Sequence, residues 1–384
     1  MFRTILFWLH LSAGSLAGVV IVVMSVTGVM LAWQRQITQF ADRRSIAPVS
    51  AQQPRKSPEE LLAQVVAARR AVPSALTMRS DPAAPASVEF GRNALLYLDP
   101  STGAVLGEGS QPVRRFFREV ENWHRWLAAG IESRAAARGI TGACNLMFLG
   151  LVLSGFYLWL PRSRRQLRPA IWFRRGVSGR ARDWNWHNTI GIWCLAPLLI
   201  IVSSGVVMSY PWANALVFRI TGNEPPRQGG GGRGGAERGE AHMANLSFAG
   251  INAAWLRAEA QEPGWKTITL RVPADASAQL VFTLDRGDGG RPDLRSQLTL
   301  RRRDAALLKW EPFSANNAGR RLRSWIRFSH TGEAGGIMGE TVAALASLGG
   351  VFLAITGISL AIRRLLVSVA RRRQRPRVFE VTAP

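Results

Sequence analysis

Four blocks of apolar residues, each long enough to cross a membrane, limit what this chain can fold into. They run from about Ile5 to Trp33, Ile140 to Leu160, Ile190 to Tyr210 and Val342 to Ile362. A helix needs roughly 20 apolar residues to span the hydrocarbon core of a bilayer. The mean hydropathy is near zero only because the segments between the blocks carry most of the 49 Lys and Arg residues. We therefore expect four transmembrane helices that alternate with polar segments.

The basic residues predict which side of the membrane each segment occupies. Arginine is concentrated between the second and third blocks and again after the fourth, at Arg162, Arg164, Arg165, Arg168, Arg174, Arg175, Arg180 and Arg182, and at Arg363, Arg364, Arg371, Arg372, Arg373, Arg375 and Arg377. Short basic segments beside transmembrane helices stay in the cytoplasm. Both termini are thus expected inside, and the long polar segments 34–138 and 211–340 outside. This orientation accounts for the net charge of +24, so we expect membrane lipid and not nucleic acid as its partner.

The first block differs from a signal peptide, although the basic Arg3 precedes it. It is much longer than the apolar region of such a peptide, and no A-x-A cleavage site follows it. We expect it to be retained as a span. The two cysteines, Cys144 and Cys194, fall inside apolar blocks, so we expect neither a disulfide nor a thiolate metal site.

The first and third blocks show that the chain contains an internal repeat. The first block includes "HLSAGSLAGVVIVVMSVTG", which begins at His10, and the third includes "HNTIGIWCLAPLLIIVSSG", which begins at His187. Both stretches end in a small residue and a glycine, eighteen residues after the histidine. Gly14 and Gly191 each follow the histidine by four residues, one helical turn away on the same face.

The second and fourth blocks repeat more loosely. His124 precedes Gly155 by 31 residues, whereas His330 precedes Gly357 by 27, so about one helical turn is inserted in the first copy. The repeated unit is therefore a span, an outer domain, a histidine and a second span.

Each outer segment has the pattern of a small α+β domain. "SPEELLAQVVAARR" predicts a helix capped by Ser57 and Glu60. "ASVEFG" and "ALLYLDPSTGAVLG" predict strands, the latter a hairpin through its Asp-Pro-Ser-Thr-Gly turn. The second copy has "INAAWLRAEA", "KTITLRVP", "QLVFTLD" and "SQLTLRRRDAALLKW". Before it, "PPRQGGGGRGGAERGE" predicts a flexible loop.

The predicted fold is a membrane α-helical bundle of four transmembrane helices, a duplicated two-helix unit, with two small outer α+β domains. We expect transmembrane helices at 5–33, 139–161, 184–212 and 341–362, outer domains at 34–112 and 245–315, outer segments with histidines at 113–138 and 316–340, a flexible loop at 213–244, and basic cytoplasmic segments at 162–183 and 363–384.

Four of the five histidines occupy matching positions of the repeat. His10 and His187 lie at the cytoplasmic ends of spans one and three, and His124 and His330 lie just outside, before spans two and four. Two imidazoles on different helices can supply both axial ligands of a b-type haem. His242, in the Gly-rich loop, is expected to be an ordinary surface residue. The pattern predicts two haem sites, one at each membrane face.

Other roles for these residues stay open. Zinc or copper usually needs a third or fourth ligand, which no Cys, Asp or Glu supplies one turn from His10. Glu121 and Glu333 lie three residues from His124 and His330, either as metal ligands or as partners that orient the imidazoles. Gly14 and Gly191 suit either a close haem macrocycle or close helix packing.

Nearby arginines are candidates to bind the haem propionates. They are Arg3 and Arg182 on the inner side, and Arg125 and Arg327 on the outer side. Anchoring to lipid headgroups explains each of them equally well.

Several motifs together resemble the PepSY-associated transmembrane family over almost the whole chain. They are "WLHLSAGSLAG", "VTGVMLAW", "YLDPSTGAVLG", "WHRWL", "WNWHNTIGIW" and "SHTGEAGGIMGE". Within that family the chain is similar to the FoxB-type ferric-siderophore reductases of the bacterial inner membrane. The resemblance implies two haems b ligated by His10, His187, His124 and His330, periplasmic PepSY-like domains, and reduction of ferric-siderophore iron to Fe(II).

The sequence departs from this pattern in two ways. The second outer domain lacks the Asp-Pro-x-Thr-Gly turn and has "RRDAALLKW" instead, and no G-x-G-x-x-G follows a strand, so no nicotinamide- or flavin-binding module is expected. The electron donor would then be external, a quinol or a cytosolic reductase. Two alternatives remain: a PepSY regulatory or binding protein without redox activity, and a haem or metal transporter. A transporter needs a polar pathway, for which the spans offer only Ser25, Thr27, Ser203 and Ser204.

Overall fold

The structure is a computed structural model that describes residues 1–50, 54–91, 94–161, 163, 167–226, 247–273 and 279–373. Its helices are α1 Phe2–Leu31, α2 Gln34–Ser45, α3 Pro58–Arg69, α4 Gln111–Trp126, α5 Arg134–Trp159, α6 Leu167–Ala170, α7 Gly179–Trp193, α8 Leu195–Ser209, α9 Pro211–Ile220, α10 Ile251–Gln261, α11 Ala318–His330 and α12 Gly336–Arg373. Its strands are β1 Ala75–Arg79, β2 Ala86–Phe90, β3 Ala94–Leu98, β4 Val105–Gly107, β5 Thr267–Arg271, β6 Gln279–Asp285, β7 Arg295–Arg301 and β8 Leu307–Pro312.

Within the described residues, three helical segments are long and apolar enough to cross a membrane. They contain α1, α5 and α12. The third predicted span, 184–212, is two helices, α7 and α8, bent by 72°, and a fourth crossing exists if the pair counts as one span. Pro197 explains the bend, because it has no N–H for the Trp193 carbonyl and its ring crowds that group. The expectation of one continuous helix there was wrong.

The predicted loop 213–244 also needs correction. Residues up to Ile220 form α9, whose first turn starts at Pro211, a position that tolerates proline. Residues 227–246, with most of the predicted loop and His242, lie outside the described residues.

Among the described residues, the two outer domains, expected as separate units, form one antiparallel sheet of eight strands. The strand order is β4-β3-β2-β1-β5-β6-β7-β8, so β1 and β5 join the two copies. At the middle of this pairing Thr77 lies opposite Thr269, and their hydroxyl oxygens are 2.9 Å apart. No strand was predicted at β1, so the pairing of β1 with β5 could not be predicted either.

Helices α3 and α10 cover one face of the sheet and form the core with it. Leu61, Leu62 and Trp255 pack there against apolar side chains from both copies, Phe282 among them. The predicted cap of α3 is confirmed, since Ser57 and Glu60 form a complete capping box. Burial of one continuous apolar cluster is what favours a single unit over two small domains.

Both β-hairpin turns form, despite their different sequences. In the first copy the Asp99 carboxylate accepts hydrogen bonds from the Ser101 and Thr102 amides, and Gly103 has a φ of +74°. In the second copy Ala305 takes the left-handed conformation, with a φ of +52°, beside the Asp304 carboxylate that caps the Ala306 amide. The missing turn motif therefore does not remove the second hairpin.

A buried carboxylate connects α4 to α2 and β3. Asp42 is 3% exposed and accepts hydrogen bonds from the Ser110 amide, the Tyr97 hydroxyl and the Arg114 guanidinium, with which it also forms an ion pair. Burial, followed by the Asp42 charge, raises the pKa of Tyr97 to about 12, so its hydroxyl remains a donor. This network sets the position of the helix that carries His124.

We expect Asp42→Ala to lower the free energy of unfolding by about 3 kcal/mol, because removing one partner leaves the Arg114 charge and the Ser110 amide without their acceptor. Thermal unfolding of the detergent-solubilised protein, followed by circular dichroism, measures this. The control is Glu108→Ala, which breaks an exposed ion pair with Arg69 and should cost less than about 1 kcal/mol. Equal losses in the two variants would contradict a stabilising role for the buried network.

Candidate functional site

His10 and His187 form the first histidine pair, on helices α1 and α7. Their ring centres are 6.4 Å apart and their planes cross at 84°. Metal ions such as zinc bind an imidazole nitrogen at about 2.0–2.1 Å, and the ring centre lies about 1.15 Å behind that nitrogen, so two imidazoles on opposite sides of one ion have centres about 6.4 Å apart. The pair therefore has the spacing of two ligands to one metal ion.

A cavity of about 710 Å³ opens at the first pair. Protein sites for cofactors and drug-sized ligands measure roughly 300–1,000 Å³. Both histidines line it, together with many apolar side chains, Trp159 and Trp184 among them. Gly14 and Gly191 line it as well. A Cβ at either position would meet only a leucine, at 3.7 or 3.6 Å, so helix packing does not require these glycines.

Two further glycines, which the sequence analysis used only to align the repeats, touch the imidazoles. A Cβ at Gly155 would lie 3.3 Å from Cε1 of His10, and one at Gly357 would lie 3.4 Å from Cε1 of His187. The first distance is tighter than ordinary van der Waals contact, and the second is at its lower limit. The absent side chains thus make room for the two rings beside α5 and α12.

His124 and His330 form the second pair, on helices α4 and α11. They are close enough for their charges to interact. A Cβ at Gly28 of α1 would lie 3.6 Å from Cε1 of His124. The first copy has four more residues than the second between its outer histidine and the glycine of the next span. These residues lie before α5, because Ser154 lies twenty residues after the first residue of α5, and Thr356 lies twenty residues after the first residue of α12. The insertion therefore leaves the registers of the spans equal.

Every histidine of the two pairs binds a hydroxyl through Nδ1. Nδ1 of His10 lies 2.8 Å from Ser154 Oγ, and that of His187 lies 3.0 Å from Thr356 Oγ1. The distances are 2.9 Å from His124 to Thr27 Oγ1 and 2.9 Å from His330 to Ser204 Oγ. In each case the hydroxyl belongs to the other span of the same repeat.

The contacts of these hydroxyls with the histidines were not predicted, although the sequence contains a signal for them. Each of the four spans carries a Ser or Thr followed by a glycine, as Thr27-Gly28, Ser154-Gly155, Ser204-Gly205 and Thr356-Gly357. The pairs in the first and third spans were interpreted as small residues of the repeat, and Thr27 and Ser204 also as polar groups of a transport pathway. Serine and threonine occur in transmembrane helices for other reasons, so the dipeptide alone does not point to a histidine.

The predicted propionate-binding arginines have other partners in the structure. Arg3 donates to the carbonyls of Leu158 and Leu160, which satisfies the end of α5, and Arg182 pairs with Asp183. The arginines that line the cavity are Arg180 and Arg364.

At the second pair, two arginines act on the histidines through their charge. The Arg125 charge acts on His124, although Arg125 also pairs with Glu121, and the Arg323 charge acts on His330. Arg327 lies over the ring of Phe328. Which arginine lies near a histidine depends on the rotation of each helix about its axis. The spacing of residues in the sequence predicts that rotation only roughly.

The two glutamates near the second pair are also engaged. Glu121 holds Arg125, and Glu333 accepts a hydrogen bond from the Thr331 hydroxyl. Among the described residues, no group of three or more His, Cys, Asp and Glu side chains is placed to hold a metal ion. A metal at either pair would thus meet two imidazoles.

Comparison with known proteins tests the resemblance. A search of curated proteins finds no match to the chain. A family model described as the PepSY-associated TM region matches residues 7–364, which include both histidine pairs and the whole sheet. The chain therefore belongs to the PepSY-associated transmembrane family.

Proposed function

We propose that this protein carries electrons across the bacterial inner membrane through two haems b, each bound by one histidine pair, and reduces ferric-siderophore iron. The observation that carries the proposal is the first pair: two imidazoles at the spacing of two ligands to one metal ion, in a cavity of about 710 Å³. When bound, a haem iron exchanges single electrons between Fe(III) and Fe(II). The second pair repeats the donor set of the first.

The chain supplies charged partners for the propionates at both sites. At the first site these are Arg180 and Arg364, which line the cavity. At the second site they are Arg125 and Arg323, whose charges act on the histidines. Guanidinium groups bind carboxylates through paired hydrogen bonds, so each arginine both orients the ligand and balances its charge.

The two sites lie at opposite ends of α1. His10 is near its start, and Thr27, which binds His124, is seventeen residues further along, or about 25 Å at 1.5 Å per residue. Most of the thickness of a bilayer therefore separates the pairs. The basic segments beside the first pair support a cytoplasmic position for this pair and a periplasmic position for the sheet.

Reduction releases the iron because the siderophore oxygens bind Fe(III) more tightly than Fe(II). Hydroxamate and catecholate oxygens are hard donors that suit Fe(III), and Fe(II) binds them much less tightly. One electron per ferric ion is enough to loosen the chelate. The donor of that electron is external, a quinol or a cytosolic reductase that meets the cytoplasmic side.

The alternatives have weaker support. A haem or metal transporter needs polar groups free to pass its cargo, but Thr27, Ser154, Ser204 and Thr356 all donate to backbone carbonyls of their own helices. A regulatory PepSY protein without redox activity has no use for two histidine pairs.

The purified protein should show a reduced α-band after dithionite treatment, with two haems per chain by pyridine haemochrome assay. Adding ferric siderophore to the reduced protein without oxygen should remove the band and form Fe(II), which an Fe(II) chelator detects. The iron-free siderophore is the control and should leave the band in place. A protein without the α-band would overturn the haem assignment, and a band that ferric siderophore leaves unchanged would overturn the reductase.

A further inference from the structure

The direction of the hydrogen bonds at the histidines has a chemical consequence. Each hydroxyl carries one hydrogen, and a backbone carbonyl one turn earlier accepts it: Ser154 donates to Gly150 at 2.6 Å, and Thr356 to Phe352 at 2.6 Å. Thr27 donates to Val23 at 2.7 Å, and Ser204 to Ile200 at 2.6 Å. Toward the histidine, the hydroxyl oxygen therefore accepts.

His330 gives independent support for this direction. Its Nδ1 lies 2.9 Å from the Ile201 carbonyl oxygen as well as 2.9 Å from Ser204 Oγ. A carbonyl oxygen has no hydrogen to donate, so Nδ1 must be the donor. In a neutral imidazole with its hydrogen on Nδ1, Nε2 holds the free lone pair.

We propose that Ser154, Thr356, Thr27 and Ser204 are positioning residues: each accepts the Nδ1–H of one histidine and so keeps that histidine's Nε2 available to the haem iron. The inference rests on the proposed haem sites and adds four residues to them. Metal-binding histidines commonly donate their other ring hydrogen to such a partner, which sets ring orientation and ligand strength. A neutral hydroxyl fulfils this role inside a membrane, where a carboxylate is costly.

The ordinary role of a transmembrane serine is a bond to its own helix and nothing more. Ser203 provides this case beside Ser204. Its hydroxyl donates to the Leu199 carbonyl at 2.6 Å, and among the described residues no histidine is bonded to it. The four hydroxyls at the histidines make the backbone bond and the imidazole bond together.

Ser154→Ala is the most sensitive test, because a single hydroxyl holds His10 whereas His330 has the Ile201 carbonyl as well. The change should weaken haem binding at the first site about tenfold or more. It should also raise the midpoint potential of that haem, since a less electron-rich imidazole favours Fe(II), by about 59 mV for each tenfold change in relative affinity of the two oxidation states. Redox titration and the ferric electron paramagnetic resonance spectrum measure these changes.

Two variants serve as controls. Ser154→Thr keeps the hydroxyl and should restore the wild-type potential and spectrum, and Ser203→Ala should leave both unchanged. If Ser154→Ala does not accumulate, Ser204→Ala compared with Ser203→Ala decides, with the same direction and a smaller shift. Two haems in every variant, with equal potentials and spectra, would overturn this inference alone. A wild-type protein without haem would overturn the proposed function together with it.

Discussion

A His187→Ala variant is expected to keep one of the two proposed haems and to lose electron delivery from the side of the basic segments. His10 and His187 lie at the distance of two ligands to one iron. A first site that keeps only one of these histidines lacks one of its two ligands. The second pair is on other helices, α4 and α11, and should keep its haem. The reduced α-band should fall to about half.

The measurements separate binding from transfer. Haem per chain and the α-band report the loss of one site. In proteoliposomes, a reductant confined to the side of the basic segments should reduce the wild type but not His187→Ala, whereas dithionite on both sides should still reduce the haem that remains. His242→Ala is the control, because this fifth histidine lies outside both pairs. Loss of both haems from His187→Ala would mean one shared site, and loss of neither would remove His187 as a ligand.

The second large effect is expected from Gly155→Val. A Cβ at this position already meets Cε1 of His10 at 3.3 Å, and the two methyl groups of valine would push the ring out of place. Overpacking of this kind costs roughly 1–3 kcal/mol, which corresponds to about a 5- to 150-fold weaker haem affinity at the first site. Gly357→Val should have the same effect through His187.

Gly139→Val is the matched control for this experiment. Gly139 lies on the same helix, and a Cβ there meets no atom within 4 Å. The two variants therefore share the helix and the added side chain but not the contact with the imidazole. Haem titration of both proteins, with circular dichroism to compare helix content, gives the result. Equal haem affinities would show that the first site tolerates a side chain beside the ring, which contradicts the packing described above.

The parts of the fold that the sequence predicts correctly depend on residues that are close together in the chain. Apolar runs of sufficient length predict spans, and the turn at Asp99 and the cap at Ser57 depend on residues a few positions apart. The pairing of β1 with β5 joins residues about 190 positions apart, and β1 is only five residues long. No local sequence pattern predicts such a contact, so we expected two domains where the structure has one sheet.

The candidate site also has residues that the sequence predicts and residues that it does not. The repeat predicts four histidines in two pairs, because equal spacing in two copies is visible in one sequence, and the structure brings His10 and His187 together. The hydroxyls and the nearby arginines depend on helix rotation and on which span is the neighbour. Pro197 is visible in the sequence, but the size of the bend it produces depends on how α7 and α8 pack.

The centre of the sheet reveals a symmetry between the two copies of the repeat. Half a turn about a line through the contact of Thr77 with Thr269 exchanges β1 with β5, and the strand order is the same read outward in either direction. The spans correspond in the same pairwise way, since a Cβ at Gly155 would meet His10 and one at Gly357 would meet His187, and each histidine pair takes one member from each copy. The two halves of an isologous dimer interface contribute to it in this way. A single repeat offers one ligand to each site and half of the sheet, so the protein is in effect a dimer joined into one chain.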